Sequence, residues 1–303
     1  VSYVSLREIR RFSIFYYFFV EYLRKKKLIF TEMNQKEYLN LIEPFYKTLN
    51  DNDIYKYSIN LSIFICYYLR LTKKEYSREF GLKMNEIFNF DFLKIPMKEQ
   101  EYIVNNIKLK EGIAKNTALL ENLFTLFVCV NARVPVFIVG KPGCSKSLSV
   151  QLLFKAMKGE NSENILFKTL PKLICNSYQG SKSSNSKGVL SIFRKARKII
   201  EQEKKEDLHK ILSMIYFDEL GLAEHSPHNP LKVLHAELEY DNNCREVEKK
   251  IAFVGISNWV LDASKMNRGL YLSIPQPDKE DLIKTALTIA DSYEQNLVKD
   301  YKD

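Results

Sequence analysis

The sequence has few residues that could form a disulfide framework or a zinc site. Its 303 residues include five cysteines and four histidines. The cysteines are odd in number, far apart and mostly flanked by apolar residues: Cys66, Cys129, Cys144, Cys175 and Cys244. Residues so scattered argue against a zinc finger and for a reducing compartment. We therefore expect a cytoplasmic protein without disulfides.

The sequence also lacks a long hydrophobic run and a recognisable signal or transit peptide. Its most apolar stretch, residues 12–20, is about half the length that spans a bilayer and is flanked by charged residues. The first residue is Val1 rather than Met, which we interpret as a piece of a longer polypeptide. These features predict a soluble chain without a membrane span.

The chain is basic, with a net charge of +9 and a pI near 9.1. Such a balance could indicate a surface for nucleic acid or membranes. Acidic residues, however, interrupt the basic ones, as in residues 204–207 and 246–250. We therefore expect a solvated surface and no nucleic-acid partner, with a nucleic-acid-dependent motor as the alternative.

Two regions differ in their hydrophobic pattern. Residues 1–95 show helical periodicity, with capping-box spacing from Ser5 to Glu8, and predict a small all-α bundle. Residues 93–105 are predicted to be a connector broken at Pro96. From residue 107 onward, helical and strand patterns alternate, which predicts an α/β fold with a parallel sheet covered on both faces.

The most informative motif is residues 140–147, GKPGCSKS, between an apolar strand and a helix. This order is that of a P-loop, in which backbone N–H groups and the helix N-terminus surround a phosphate. Lys146 would reach the β- and γ-phosphates, and the Ser147 hydroxyl would bind Mg²⁺. The candidate nucleotide-binding residues are Gly140, Pro142, Gly143, Cys144, Ser145, Lys146, Ser147 and Leu148.

The motif departs from the general P-loop pattern at Ser145, where a second glycine is usual. A side chain there is tolerable if the backbone is close to helical, so we expect a helical conformation at Ser145. The alternative is a chance Lys-Ser pair after a glycine turn.

Three later segments supply candidate catalytic residues. A hydrophobic strand ends in Asp218 and Glu219, about 70 residues after the loop. In P-loop ATPases the first such acid holds Mg²⁺ through water and the second polarises the attacking water. Asn258 follows the next strand, where it could hold that water or the γ-phosphate. Arg268 precedes the last strand, as an arginine finger could. Each could instead be structural: a polar turn, an Asn that closes a turn, or an arginine that braces one.

These motifs resemble the AAA+ ATPase core, whose five strands have the order 5-1-4-3-2. Residues 139–148, 217–227 and 255–269 are similar to the mysterin family of giant, dynein-like AAA+ E3 ubiquitin ligases, which also carries serine at the position of Ser145. The resemblance covers most of residues 107–285. It implies ATP and Mg²⁺ as cofactors and neighbouring AAA+ modules of the same chain as partners.

The resemblance also implies a domain division. Residues 1–95 would be the helical lid of a preceding module, with Arg7 as its sensor for nucleotide. Residues 96–277 would be the large α/β subdomain, and residues 278–303 would begin this module's own lid. The ubiquitin machinery would be engaged through the parent protein, outside these residues. A module that holds ATP structurally, without turnover, remains an alternative.

Overall fold

The computed structural model describes residues 5–32, 44–262 and 266–300. The chain divides into two compact units, Val1–Glu99 and Gln100–Asp303, which are described separately. Within the described ranges, no helix combines the length and the apolar character needed to cross a membrane.

The first unit is helical in its described residues. Its helices are α1 (Leu6–Glu32), α2 (Asp51–Cys66), α3 (Lys74–Phe88) and α4 (Lys94–Asn105), the last of which crosses the boundary between the units. The predicted capping box begins α1: the Ser5 N–H donates to the Glu8 carboxylate at 2.9 Å, and the Glu8 N–H donates to the Ser5 hydroxyl at 3.4 Å. A second capping box, between Asn50 and Asp53, begins α2. Local hydrogen bonds therefore determine where both helices start.

The predicted connector over residues 93–105 is wrong, because α4 occupies Lys94–Asn105. Pro96 lies in the first turn of that helix, where its missing N–H has no partner to lose. A proline near a helix start is therefore compatible with the helix that it was expected to interrupt.

A buried ion pair lies in the core of the helical unit. The Lys26 ammonium lies 2.8 and 3.0 Å from the two carboxylate oxygens of Glu99. The hydroxyls of Tyr46 and Tyr22 donate to the same carboxylate at 2.6 and 3.1 Å. All four side chains are buried. Such a charge pair is tolerable in an apolar core because its members satisfy one another.

The second unit alternates helices and strands. Its helices are α5 (Thr117–Asn131), α6 (Lys146–Ala156), α7 (Ile165–Lys168), α8 (Ser186–Gln202), α9 (Leu220–Glu224), α10 (Lys232–Asn243) and α11 (Lys279–Asp300). Its strands are β1 (Val136–Val139), β2 (Lys172–Gln179), β3 (Ile211–Asp218), β4 (Ala252–Ser257) and β5 (Leu270–Ser273). These elements make it an α/β unit, as predicted.

The five strands form one parallel sheet in the order β2-β3-β4-β1-β5. This is the predicted order 5-1-4-3-2 read from the opposite edge, so the prediction is confirmed. Because all strands are parallel, their carboxyl ends lie along one edge of the sheet. The P-loop, the Asp218–Glu219 pair and Asn258 follow β1, β3 and β4, which are neighbours in the sheet.

Helices cover both faces of the sheet. On one face, apolar side chains of α8, α9 and α10 pack against Phe137, Phe217 and Phe253 of three adjacent strands. On the other face, α5 contacts β1 and β4, and α6 contacts β2. Successive side chains of each strand alternate between these two layers. The sheet is therefore a rigid platform with one accessible edge at its carboxyl ends.

Candidate nucleotide-binding site

Two residues of the P-loop, which lies between β1 and α6, have a left-handed backbone conformation. Gly143 has a φ of 89° and Ser145 a φ of 55°. The predicted helical backbone at Ser145 is therefore wrong: Ser145 precedes α6 in the left-handed conformation, which glycine adopts without steric penalty. Ser145 therefore adopts a positive φ at the turn before Lys146, although serine prefers a negative φ.

The side chain of Lys146 lies inside the loop and is buried. Its ammonium donates to the carbonyls of Gly140 at 2.7 Å and Lys141 at 2.8 Å. Burial lowers the pKa of Lys146, while the nearby Glu219 and Asp218 carboxylates act in the opposite direction. Among the described residues, no carboxylate forms an ion pair with this lysine. The loop thus encloses a cation that is solvated by backbone dipoles.

A buried asparagine of α5 supports the loop from behind. The Asn122 amide donates to the Cys144 carbonyl at 2.9 Å, and Asn122 is fully buried. The Cys144 side chain is also buried, close to the Pro275 carbonyl. The sequence analysis did not identify Asn122, because the residue lies in an apolar helical pattern far along the chain from the loop.

The acidic pair after β3 is held by a close approach of two backbones. The Gly180 N–H donates to the Asp218 carbonyl at 2.8 Å, and a Cβ at Gly180 would lie 2.2 Å from the Glu219 carbonyl oxygen. Glu219 has a φ of 50°, and its N–H donates to the Asp218 carboxylate at 3.0 Å. This left-handed turn directs the two carboxylates in different directions.

Glu219 and Asn258 are in direct contact. The Asn258 side-chain amide donates to both carboxylate oxygens of Glu219, each at 3.1 Å. The residues are 39 positions apart and come from adjacent strand ends. A neutral amide can orient a carboxylate without removing its charge.

One cavity of about 400 Å³ contains most of the predicted site. Its lining includes Ile256, which the sequence analysis did not predict, and ten predicted residues: Pro142, Gly143, Cys144, Ser145, Lys146, Ser147, Leu148, Asp218, Glu219 and Asn258. Gly140 is not in the lining; it packs against Ile274, and its carbonyl binds Lys146. The volume is within the usual range for a small-molecule site.

Arg268 lies outside this cavity. Its guanidinium donates to the His235 carbonyl at 3.3 Å and pairs with Glu239 at 3.4 Å. Both partners belong to α10 of the same unit. The structure therefore does not bring Arg268 together with the P-loop of its own module.

A third residue that the sequence analysis missed is Tyr216, two positions before Asp218 on β3. Its hydroxyl oxygen is buried next to Ser147 and Asp218. A tyrosine within an apolar strand pattern gives no sequence signal of this kind, because its importance depends on which helix covers that face.

Comparison with known proteins identifies the family. Residues 112–281 match the model of the RNF213 AAA domain, which is more than half of the chain. The chain belongs to this family. The resemblance to the mysterin family is thereby confirmed, since mysterin is RNF213.

Two curated relatives are E3 ubiquitin-protein ligases. The rnf213-beta protein of Danio rerio is 39% identical over 248 residues, and RNF213 of Homo sapiens is 34% identical over 298 residues. These alignments cover 79% and 96% of this chain, but only 5% and 6% of the relatives. Among solved structures, C. elegans PCH-2 matches with a TM-score of 0.35 and 14% identity, over 68% of this chain and 48% of that one.

Proposed function

We propose that this module binds ATP with Mg²⁺ and hydrolyses it. One observation carries the proposal: the P-loop, the Asp218–Glu219 pair and Asn258 line a single cavity at the carboxyl edge of the sheet. Ligands of parallel α/β sheets bind at this edge. Membership of the RNF213 AAA domain family supports the same assignment.

The loop residues fit a nucleotide phosphate chain. Backbone N–H groups at the start of α6 would donate to phosphate oxygens, and Lys146 would exchange its bonds to the loop carbonyls for bonds to the β- and γ-phosphates. Ser147 and Asp218, which line the same cavity, would hold Mg²⁺, the first directly and the second through water. Bound Mg²⁺ would neutralise charge on the phosphates during transfer.

Glu219 is the residue that we propose polarises the attacking water. Its carboxylate borders the same cavity as the phosphate-binding loop. Asn258 would orient that carboxylate through the bonds it already makes to both oxygens. In this arrangement the Glu219 carboxylate accepts a proton from water. The Asn258 amide keeps the free lone pairs of that carboxylate directed toward the cavity.

A second function, ATP held as a structural ligand without turnover, is favoured by the same contact. Asn258 engages both oxygens of Glu219 and would favour this role if it holds the carboxylate out of reach of a water in line with the phosphate. If that contact persists with nucleotide bound, the module would retain ATP rather than consume it.

The surroundings of the module are also proposed rather than observed. The chain would be one module of a large AAA+ ring in an E3 ubiquitin ligase, with residues 1–95 as the lid of the preceding module and residues 278–303 as the start of its own. Arg268 would face the nucleotide of a neighbouring module. Ubiquitin transfer would be carried out elsewhere in the parent protein, in the cytoplasm, where its free cysteines would remain reduced.

The test is nucleotide turnover by the full-length protein carrying Glu219→Gln. The amide preserves shape but removes the basic oxygen, so ATP should remain bound while hydrolysis at this site falls by 100-fold or more, about the contribution of general-base catalysis. Glu206→Gln, an exposed acid outside the cavity, is the matched control and should behave as wild type. Normal hydrolysis by Glu219→Gln, with ATP bound, would favour the structural role; absent ATP binding in the wild type would refute both.

A further inference from the structure

Tyr216 lies on the face of β3 that is turned toward the P-loop helix. Its neighbours Ile215 and Phe217 point into the apolar core on the opposite face. Strand alternation therefore places Tyr216 and Asp218 together on the other face. Tyr216 is flanked by Ser177 on β2 and Val254 on β4, so the side chain rises from the interior of the sheet. Its position is fixed by the sheet and not by a loop.

The Tyr216 hydroxyl is buried and makes no hydrogen bond within the described residues. Ser147 and Asp218 nevertheless lie beside it. A tyrosine hydroxyl is neutral at physiological pH, with one proton to donate and lone pairs to accept. A buried hydroxyl without a partner destabilises a fold, so its presence between these two side chains calls for an explanation.

We propose, on the basis of the function proposed above, that Tyr216 is a positioning residue of the Mg²⁺ site. With nucleotide and Mg²⁺ bound, its oxygen would accept a hydrogen bond from the Ser147 hydroxyl, and its own hydroxyl would donate a hydrogen bond to the Asp218 carboxylate.

This chain of hydrogen bonds would orient both proposed metal ligands. A hydroxyl that binds a cation must direct a lone pair toward the ion and its proton away from it. Tyr216 lies beside Ser147 and would accept a hydrogen bond from that proton. On Asp218, the Oδ1 oxygen already accepts the Glu219 N–H at 3.0 Å. A bond from Tyr216 would restrain the carboxylate further and leave its remaining lone pairs for water bound to the ion. Residues that orient metal ligands in this way typically change metal affinity by about 10- to 100-fold.

The proposal predicts two effects of opposite sign for Tyr216→Phe. Without nucleotide, the variant loses a buried polar atom that has no hydrogen bond, so its thermal unfolding temperature should equal or exceed that of the wild type. With nucleotide, it loses the group that orients Ser147 and Asp218, so it should need more Mg²⁺. A purely structural tyrosine would give the reverse pattern: reduced stability and an unchanged Mg²⁺ requirement.

The experiment is a Mg²⁺ titration of the full-length protein with a fluorescent, non-hydrolysable ATP analogue. For Tyr216→Phe, the Mg²⁺ concentration at half-maximal tight binding should rise by about 10-fold or more. The affinity for the analogue in EDTA should remain within about twofold, because the phenol does not reach the phosphates. Tyr271→Phe on β5 is the matched control, since Tyr271 packs on the opposite, apolar face.

A double variant that combines Tyr216→Phe with Ser147→Ala tests whether Tyr216 acts through Ser147. If Tyr216 acts in part through Ser147, the double variant should require less Mg²⁺ than the sum of the two single effects predicts. Additive effects, or an unchanged Mg²⁺ requirement in Tyr216→Phe when the wild type shows Mg²⁺-dependent binding, would overturn this inference alone. If the wild type does not bind the analogue, the proposed function is overturned and this inference with it.

Discussion

In the part of the chain that the structure describes, each unit buries one lysine, and the two lysines are solvated in different ways. Lys26 in the helical unit is 1% exposed and Lys146 in the α/β unit is 6% exposed. Lys26 pairs with the Glu99 carboxylate and lies 3.8 Å from the centre of the Tyr46 ring. Among the described residues, Lys146 bonds only to two loop carbonyls. Burial lowers the pKa of both lysines, that of Lys26 to about 8.

The difference separates a structural charge from one available to a ligand. The Lys26 charge is neutralised within the fold, and Glu99 in turn accepts hydrogen bonds from two tyrosines. The Lys146 charge is stabilised by backbone dipoles and forms no ion pair among the described residues, although the Asp218 and Glu219 carboxylates line the same cavity. An anion that enters the loop can therefore gain a charge-assisted bond that no group of the protein already supplies. Removing the first lysine should impair folding, and removing the second should impair binding.

The largest expected effect is that of Lys26→Ala. It leaves the Glu99 carboxylate buried without a cation, which typically destabilises a protein by about 3–5 kcal/mol. Urea unfolding followed by circular dichroism should show a weakened helical unit. Lys25→Ala, at the neighbouring exposed position, is the control and should change stability little. If Lys26→Ala is as stable as the control, the two tyrosine hydroxyls are sufficient to stabilise the Glu99 carboxylate. Lys26 would then not be required for folding, contrary to the comparison.

Lys146→Ala tests the other side of the comparison. The lost interaction with phosphate should weaken MgATP binding by about 1.5–3 kcal/mol, or roughly 10- to 150-fold. Thermal stability should change little, because the charge has no carboxylate partner to leave behind. Calorimetry of the full-length protein measures the first quantity and a melting curve the second. Lys141→Ala in the same loop, exposed and outside the cavity lining, should retain normal affinity.

A similar contrast exists between two acids. Glu99 has a cation beside it, whereas Glu121 on α5 is largely buried near a second acid, Asp281 of α11. Burial, with a further contribution from Asp281, raises the pKa of Glu121 to about 7. Its protonated form is therefore the one that the fold favours. The stability that it contributes should be present below pH 4.5 and should be lost as the pH rises through about 7.

Glu121→Gln should remove this pH dependence. At pH 8 the variant should be more stable than the wild type by on the order of 1–2 kcal/mol, since the side chain keeps some contact with solvent. At pH 5 the two proteins should differ much less. Denaturant unfolding at both pH values measures the difference, with the exposed Glu201→Gln as the reference. A constant difference between the two pH values would show that Glu121 is ionised throughout.

The sequence predicts the sheet and the cavity lining well because both depend on local patterns. The P-loop, the Asp218–Glu219 pair and Asn258 each follow a strand, and parallel strands bring their carboxyl ends together without further information. The residues it does not predict depend on distant packing. Lys26 and Glu99 are 73 positions apart, and the Asn122 contact with the loop requires α5 to lie behind it.

Backbone strain was predicted incorrectly at Ser145. The motif indicated where the loop ends but not that its last residue would be left-handed. The loop places Ser145 in the left-handed region, whereas propensity favours the opposite choice for serine. The Pro96 prediction failed for a related reason, since a proline signals both a helix break and a helix start.

Ser145→Gly is the prediction with the smallest effect, and it extends the comparison from charge to backbone. Left-handed residues other than glycine occur in both units. Asn89 in the helical unit, with a φ of 56°, ends α3, which is a common role for asparagine. Ser145 has almost the same φ of 55° but no such propensity. The backbone strain at Ser145 is of order 1 kcal/mol. Replacing Ser145 with glycine removes this strain, but glycine also raises the entropy of the unfolded chain, which offsets part of the gain in stability.

We therefore expect Ser145→Gly to raise stability by up to about 1 kcal/mol, and Asn89→Gly to change it by a few tenths. Urea unfolding measures both variants, and calorimetry should show that Ser145→Gly still binds MgATP. If Ser145→Gly is neutral while Asn89→Gly stabilises, the strain lies in the helical unit instead.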